Sequence, residues 1–403
     1  HLKSFSRFFT GPAPEVVEPE GAPRASAEGL EEGRQLYQRL ECWKCHGNAG
    51  RADGPSAPTL RDRAEFPIPP ANLTQHWRFN GGGDVEDIYL RLLTGLDGTP
   101  MPTSKDLLDS RVITAEQLWR VAQFVRSLSP DAPPPVREVV RARRVEGQLP
   151  AHPDDSAWAS TEEFYVPLVG QIVKAPRWFA PRVDGVFVRA LYDGEHVAVR
   201  LRWSDPSQSP DPAWAEWRGA MARTMTQADG ALDSLPRPDG VLVQFPRAIP
   251  NDVTRPYFLM GEPNNPVYAW RWQSTPRVAE AGRATGLGTF TALPGTDETP
   301  VAEAVFDHGE WRLVLTRARS TPDSADALQF ASGRPIPIAL FAWDGDNGEG
   351  DTRIAISTWY FLVLEEPTPP SAYATPIVAA MLTLVLGWVV VWRAQARGRR
   401  KQS

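Results

Sequence analysis

The chain has only two cysteines in 403 residues; they stand two residues apart, and a histidine follows the second directly: Cys42-Trp43-Lys44-Cys45-His46. With no third cysteine, a disulfide framework is excluded. A thioredoxin-type redox pair makes no use of the histidine and needs a βαβ setting, and a zinc site needs two more ligands at matching spacing. The remaining chemistry uses all three residues. Two thiols form thioethers at the edge of a porphyrin, and the adjacent imidazole reaches its iron, which is covalent c-type haem attachment. Whatever surrounds this motif must wrap a flat, rigid group.

Around the motif the hydrophobic period is helical. Leu30, Gly33, Tyr37 and Leu40 share one face just before Cys42. Residues 48–80 read as loop, with Pro55, Pro58, Pro67, Pro69 and Pro70. Residues 85–96 place Ile88 and Leu92 at i,i+4 and stop at Gly95. Thr114 and Gln117 form a capping box that opens a last helix, with Leu118, Val121, Ala122 and Val125 inward. Three helices among long loops predict a small all-α domain over 28–130, behind an extended Pro-, Gly- and Glu-rich lead-in at 1–27.

Gly33 and Tyr37 ahead of the motif, Gly47 after His46, Asp53-Gly54-Pro55, and Gly98-Thr99-Pro100-Met101-Pro102 together resemble class I cytochrome c. The resemblance implies one haem c held by Cys42 and Cys45, with His46 and Met101 as its axial ligands. It also implies that Gly33 is the crossing point beneath the helix bearing Trp119. An iron closed by His and Met transfers electrons and leaves no site for oxygen chemistry. His76 reads as a loop histidine.

Residues 131–150 are expected to be a Pro-rich linker, after which the period changes from helical to two. Residues 186–191 and 197–203 flank Asp193-Gly194, a hairpin signal. Further strands are predicted at 241–245, 267–272, 311–316, 336–343 and 354–364, with another turn at His308-Gly309. Forty prolines fit many fixed turns, and fifteen tryptophans fit large buried aromatic surfaces. A β-sandwich over 151–367 follows.

Within it, Asp193-Gly194 with residues 197–205, then 241–246, 257–261, 266–272, 341–345 and 356–359 resemble the haem-b-binding γ subunits of ethylbenzene dehydrogenase, dimethyl sulfide dehydrogenase and chlorate or selenate reductases. That resemblance implies a haem b with Met260 as one iron ligand. The family's second ligand is usually a lysine just before the final Ser-x-Trp strand. Here that stretch carries Arg353 and no lysine, and a guanidinium has no lone pair to offer. Lys174 is the domain's one lysine; His196 and His308, both beside turns, are the other donors besides the linker-edge His152.

Residues 372–392 carry no charge, enough to cross roughly 30 Å of hydrocarbon at about 1.5 Å per residue. Tyr373, Trp388 and Trp392 sit near the ends, as interfacial aromatics do. Arg393, Arg397, Arg399, Arg400 and Lys401 fill a basic tail at 393–403, which points to a cytoplasmic C-terminus and a single-pass protein with its domains on the periplasmic side. Setting those five cations aside takes the net charge from −6 to −11, which speaks against nucleic acid. The chain opens at His1, so an upstream signal or anchor is left open.

A class I cytochrome, a haem-b-type sandwich and a tail helix resemble the membrane-anchored dihaem subunits found with respiratory nitrate reductases and nitrite oxidoreductases. The resemblance implies an electron conduit between molybdenum/iron–sulfur subunits and another redox protein, a cytochrome or a quinone-linked complex. No paired acid–base or nucleophile signature assigns a catalytic residue. The alternatives are a membrane-tethered carrier for a terminal oxidase or peroxidase, with the sandwich as a haem-free module such as a carbohydrate binder, or an enzyme acting at a vacant iron.

Overall fold

The computed structural model describes residues 19, 21–135, 137–225, 236–250, 254–294, 299–322, 327–366 and 370–400. Most of the expected lead-in (1–18 and 20) and the end of the basic tail (401–403) lie outside the described residues. A helical domain comes first, then a large mixed β-sheet domain, then an apolar helix.

The helical domain contains α1 (Ala27–Arg39), α2 (Trp43–His46), α3 (Val85–Thr94), α4 (Lys105–Asp109) and α5 (Ala115–Ser127). Each long helix begins where a side chain satisfies an orphan backbone donor. Ser26 Oγ accepts from Gly29 N at 3.0 Å. The Thr114 box closes both ways, with Gln117 N donating to Thr114 Oγ1 at 3.1 Å and Thr114 N to Gln117 Oε1 at 3.2 Å. Helices α1 and α5 cross at Gly33, where a Cβ would overlap the Arg120 carbonyl oxygen and lie 2.8 Å from Phe124 Cβ. Leu36, Tyr37, Ile88, Leu118, Val121 and Val125 fill the core, and the Tyr89 and Trp119 rings stack at 4.0 Å.

The β domain is one continuous ladder that folds over on itself. In chain order its strands are β1 (Val139–Arg144), β2 (Phe164–Pro167), β3 (Val169–Gly170), β4 (Gly185–Tyr192), β5 (His196–Ser204), β6 (Gly240–Pro246) and β7 (Val267–Gln273). Then follow β8 (Ala279–Ala284), β9 (Thr291–Ala292), β10 (Val301–Phe306), β11 (Glu310–Ala318), β12 (Pro335–Trp343), β13 (Ala355–Ile356) and β14 (Tyr360–Leu364). The order runs β10-β11-β5-β4-β1-β14-β12-β6-β7-β8-β9. Strand β12 makes the fold-over, because its first half pairs β14 and its second half pairs β6. The two inner faces then meet. Val197, Val199, Leu201 and Trp203 of β5 share a core with Tyr268, Trp270 and Trp272 of β7. The Trp272 ring lies 5.0 Å from Trp311 and 6.0 Å from Trp203, across the layers.

Besides adding strands such as β2, β8 and β10, the structure departs from the sequence expectation in three features. Residues 139–144, placed in the linker, form β1, which runs parallel between β4 and β14 with Val140 and Ala142 inward. The alternation is present, but Arg141 and Arg143 on the outer positions, Arg144 at the strand end and the proline run before it hide it. Secondly, the strand expected at 354–364 is broken. Its first part pairs the second half of β12 and its last part the first half, and Ser357–Trp359 cross between, with Leu340 N donating to Ser357 Oγ at 2.9 Å. A partner of a strand that changes layer must change layer too. Thirdly, a helix α6 (Ala215–Met225) interrupts the strands.

The helical domain packs on one end of the sheets. Asn72 Nδ2 donates to Ser204 Oγ at 3.1 Å, Arg51 pairs with Glu310 at 3.3 Å and Arg78 pairs with Asp184. Ala57 is fully buried among Trp178, Trp214 and Trp217. Helix α7 (Pro370–Arg400) contains Ala374–Arg393, with mean hydropathy 2.2 and none of it buried. That stretch is long and apolar enough to cross a membrane. A core helix of a soluble domain would instead be covered by its neighbours.

Candidate functional site

Helix α2 is a single turn that carries Cys45 and His46, with Cys42 just before it. Cys42 N donates to Tyr37 O at 3.1 Å, which hangs the turn from the end of α1. The chain leaves through Gly47 at φ +80°, where a Cβ would overlap the Asp53 carboxylate, so glycine is required. The Tyr37 hydroxyl donates to Gly47 O at 2.7 Å and fixes the exit. His46 Nδ1 lies 2.9 Å from Ala71 O. That carbonyl can only accept, so Nδ1 carries the proton and Nε2 keeps its lone pair for a metal. Burial lowers the His46 pKa against the opposing pull of that carbonyl, which favours the neutral ring.

Burial also pushes the Cys42 thiol up to about 11 and raises Cys45. A redox pair or a zinc thiolate site needs the opposite shift. Met101 sits in a loop held to the end of α3. Its N–H donates to Thr99 Oγ1 at 3.2 Å, and its carbonyl accepts from Leu96 N at 3.4 Å. Trp43, Leu92, Leu93, Leu107 and Leu108 pack against the core and are only partly buried. Trp119 Nε1 is buried with no acceptor among the described residues. Sulfur and imidazole donors in a small helical domain with partly buried apolar side chains and an unspent buried donor fit a haem. His76, expected in a loop, opens a short 3-10 turn (His76–Arg78) and is tied to Ser129, with Nδ1 2.9 Å from Oγ.

In the β domain, Met260 is buried among Leu242, Leu259, Phe341, Trp343 and Ile356. Its φ of +63° is unusual for a side chain of this kind and is followed by Gly261 at +76°. Gly286 N donates to Met260 O at 2.8 Å, and Lys174 Nζ donates to Leu287 O at 3.2 Å. Because Leu287 packs in the Met260 cluster, the fold brings Lys174 and Met260 to one loop although 86 positions separate them in sequence. The histidines lie elsewhere. His196 begins β5 beside Asp193, and His308 sits at φ +46° in the turn that accepts from Arg51 of the helical domain at 3.3 Å. His152 caps a turn through Asp154 N.

A helical domain built on this motif, with these donors, defines a cytochrome c. The family described as Cytochrome c matches residues 30–129, so the chain carries a cytochrome c domain for haem c. It is joined to a mixed-sheet domain and an apolar C-terminal helix. Three relatives extend further. A protein of Haloferax mediterranei named as a respiratory nitrate reductase heme subunit is 25% identical over 258 residues, 64% of this chain and 82% of its own. The chlorate reductase subunit gamma of Ideonella dechloratans is 27% identical over 57% of this chain and 87% of its own. The dimethylsulfide dehydrogenase subunit gamma of Rhodovulum sulfidophilum is 24% identical over 56% and 79%. Matches of this length cannot fit inside residues 30–129, so the likeness reaches the sheet domain.

Proposed function

We propose that this chain is a membrane-anchored electron-transfer subunit with two haems. Cys42 and Cys45 would hold haem c covalently and His46 Nε2 and Met101 sulfur would be its iron ligands; the group so held would supply electron transfer with no position left for substrate. The observation that carries the reading is the His46–Ala71 hydrogen bond, which spends one ring nitrogen and presents the other. Met260 and Lys174 are the donors proposed for a haem b in the sheet domain. Support for them is the left-handed Met260 backbone, a conformation that collects at functional positions, and the common loop at 286–287. Lys174 then replaces the lysine missing beside Arg353.

The uncharged run 372–392 of helix α7 anchors the chain, and the basic residues that follow that run keep the C-terminus in the cytoplasm, with both domains on the periplasmic side. Relatives named as subunits of nitrate and chlorate reductases and of dimethylsulfide dehydrogenase favour molybdenum/iron–sulfur subunits as one redox partner. A cytochrome or a quinone-linked complex of a respiratory chain is the other.

A pyridine haemochrome assay on the purified chain tests the reading. One covalent c haem and one acid-extractable b haem are expected. Met101→Ala should remove the weak iron–sulfur absorbance band of the oxidised c haem, and Met260→Ala should remove the extractable haem. A single covalent haem in the wild-type chain would end the two-haem reading.

A further inference from the structure

At the end of the sandwich where α6 packs, three aspartates from three strand ends converge. Asp205 follows β5, Asp239 precedes β6 and Asp344 follows β12, so both layers contribute. All three are fully buried, and one carboxylate oxygen of each lies within 4.8 Å of the other two. Some point therefore lies within ~2.8 Å of all three oxygens, close to the 2.3–2.6 Å of calcium–oxygen bonds.

Charge makes the cluster costly as it stands. Asp346 and Glu349 are also fully buried beside it, which brings five carboxylates together. The basic side chains that meet them are Arg182, with Nε 3.5 Å from Asp344 Oδ2, and Arg218, paired with Asp346. Were all five ionised, the two guanidinium groups that meet them among the described residues would leave three negative charges uncompensated in a dry interior, where an unpaired ion is strongly disfavoured.

The hydrogen bonds distinguish the three aspartates. Asp239 accepts from Ser209 N at 2.7 Å, Trp311 Nε1 at 3.0 Å and Gly345 N at 3.0 Å. Asp344 Oδ1 accepts from Asp346 N at 2.7 Å and Asn347 N at 3.1 Å. These bonds lock both carboxylates in place, as supporting partners of metal ligands do. Asp205 has only a long bond, from Ser207 N to Oδ1 at 3.3 Å. Its Oδ2 is buried and has no partner among the described residues. A buried, unspent oxygen beside two immobilised carboxylates is what an ion would complete.

We propose that Asp205, Asp239 and Asp344 bind one divalent cation of the calcium type, which staples the two layers of the β domain together. An all-oxygen donor set selects a hard cation over zinc or copper. Full enclosure means that the ion enters as the domain folds and stays through purification. The site also supports the seat of the cytochrome domain: Asp205 N donates to Gly309 O at 3.0 Å, and a Cβ on Gly309 would stand 3.0 Å from both Arg51 and Asp53.

The test is elemental analysis of the full, haem-loaded chain in detergent after dialysis against metal-free buffer. One calcium per chain is expected for the wild type, at least tenfold less for Asp205→Asn, with c-haem absorbance equal in both. Thermal unfolding gives a second readout that does not depend on the variant's folding: the wild type should melt lower with excess EGTA than with calcium chloride. Wild-type protein without a stoichiometric divalent ion, and with one melting temperature in both buffers, would overturn the proposal. An Asp205→Asn chain that is more stable than wild type and equally calcium-responsive would also overturn it, and would assign the excess charge to bound protons.

Discussion

Gly33→Ala sets two known effects against each other at the α1–α5 crossing. Alanine is worth about 1 kcal/mol over glycine in a helix interior, so propensity alone predicts stabilisation. Against it, the new Cβ falls on the Arg120 carbonyl oxygen, with Phe124 Cβ 2.8 Å away. A backbone atom cannot swing aside, so the helices must part by on the order of 1 Å, which forfeits up to half of each contact's attraction. Overpacking of this kind costs about 3 kcal/mol at the upper end of its usual range. The net loss is about 2 kcal/mol, or roughly 8–16 °C in the melting temperature of a domain of this size. Gly29→Ala is the control on the same helix. Its Cβ would meet the far end of the Arg120 side chain, Nη1 at 2.5 Å, which can rotate away at the expense of bonds to Arg24 O and Glu116. That change should stay within about 1 kcal/mol of wild type. The assay is thermal unfolding of the detergent-solubilised chain, followed by helical circular dichroism and c-haem absorbance. A Gly33→Ala protein that melts with the wild type, or a Gly29→Ala protein that falls as far, would refute the argument.

Three further outcomes are expected. Burial raises the Glu163 pKa, but the hydrogen bond and charge of Arg202, with Arg189 and Arg200, hold it below the usual carboxylate range. A depressed carboxyl lends stability above its unfolded pKa and loses it as pH falls through the folded value. Glu163→Gln should therefore cost about 1–2 kcal/mol at neutral pH, discounted for partial exposure, and the gap should close in acid; denaturant melts that keep a constant gap would contradict this. Ala57→Leu should push the cytochrome domain off Trp178, Trp214 and Trp217, which limited proteolysis between the domains would register as faster cleavage. A chain ended at Glu366 should partition into buffer, whereas the full chain should need detergent because none of Ala374–Arg393 is covered; recovery of both in the aqueous phase would count against α7 as an anchor.

By itself, the sequence determined what depends on neighbours along the chain. The Cys42–His46 motif, the Thr114 capping box, the Asp193-Gly194 turn and the uncharged run near the C-terminus need only short-range spacing to be recognised, and they fold as their spacing dictates. What tertiary structure decided is everything that depends on partners distant in sequence. Strand β1 reads as linker until β4 and β14 take it in parallel. The crossing at Ser357–Trp359 exists because β12 divides its pairing between two layers. Lys174 and Met260 meet at one loop only because residues 286–287 bond to both. Asp205 and Asp344 stand in plain sight after Trp203 and Trp343, yet nothing along the chain says that they meet Asp239. Burial and charge excess are properties of atoms brought together in space, and the fold alone brings them together.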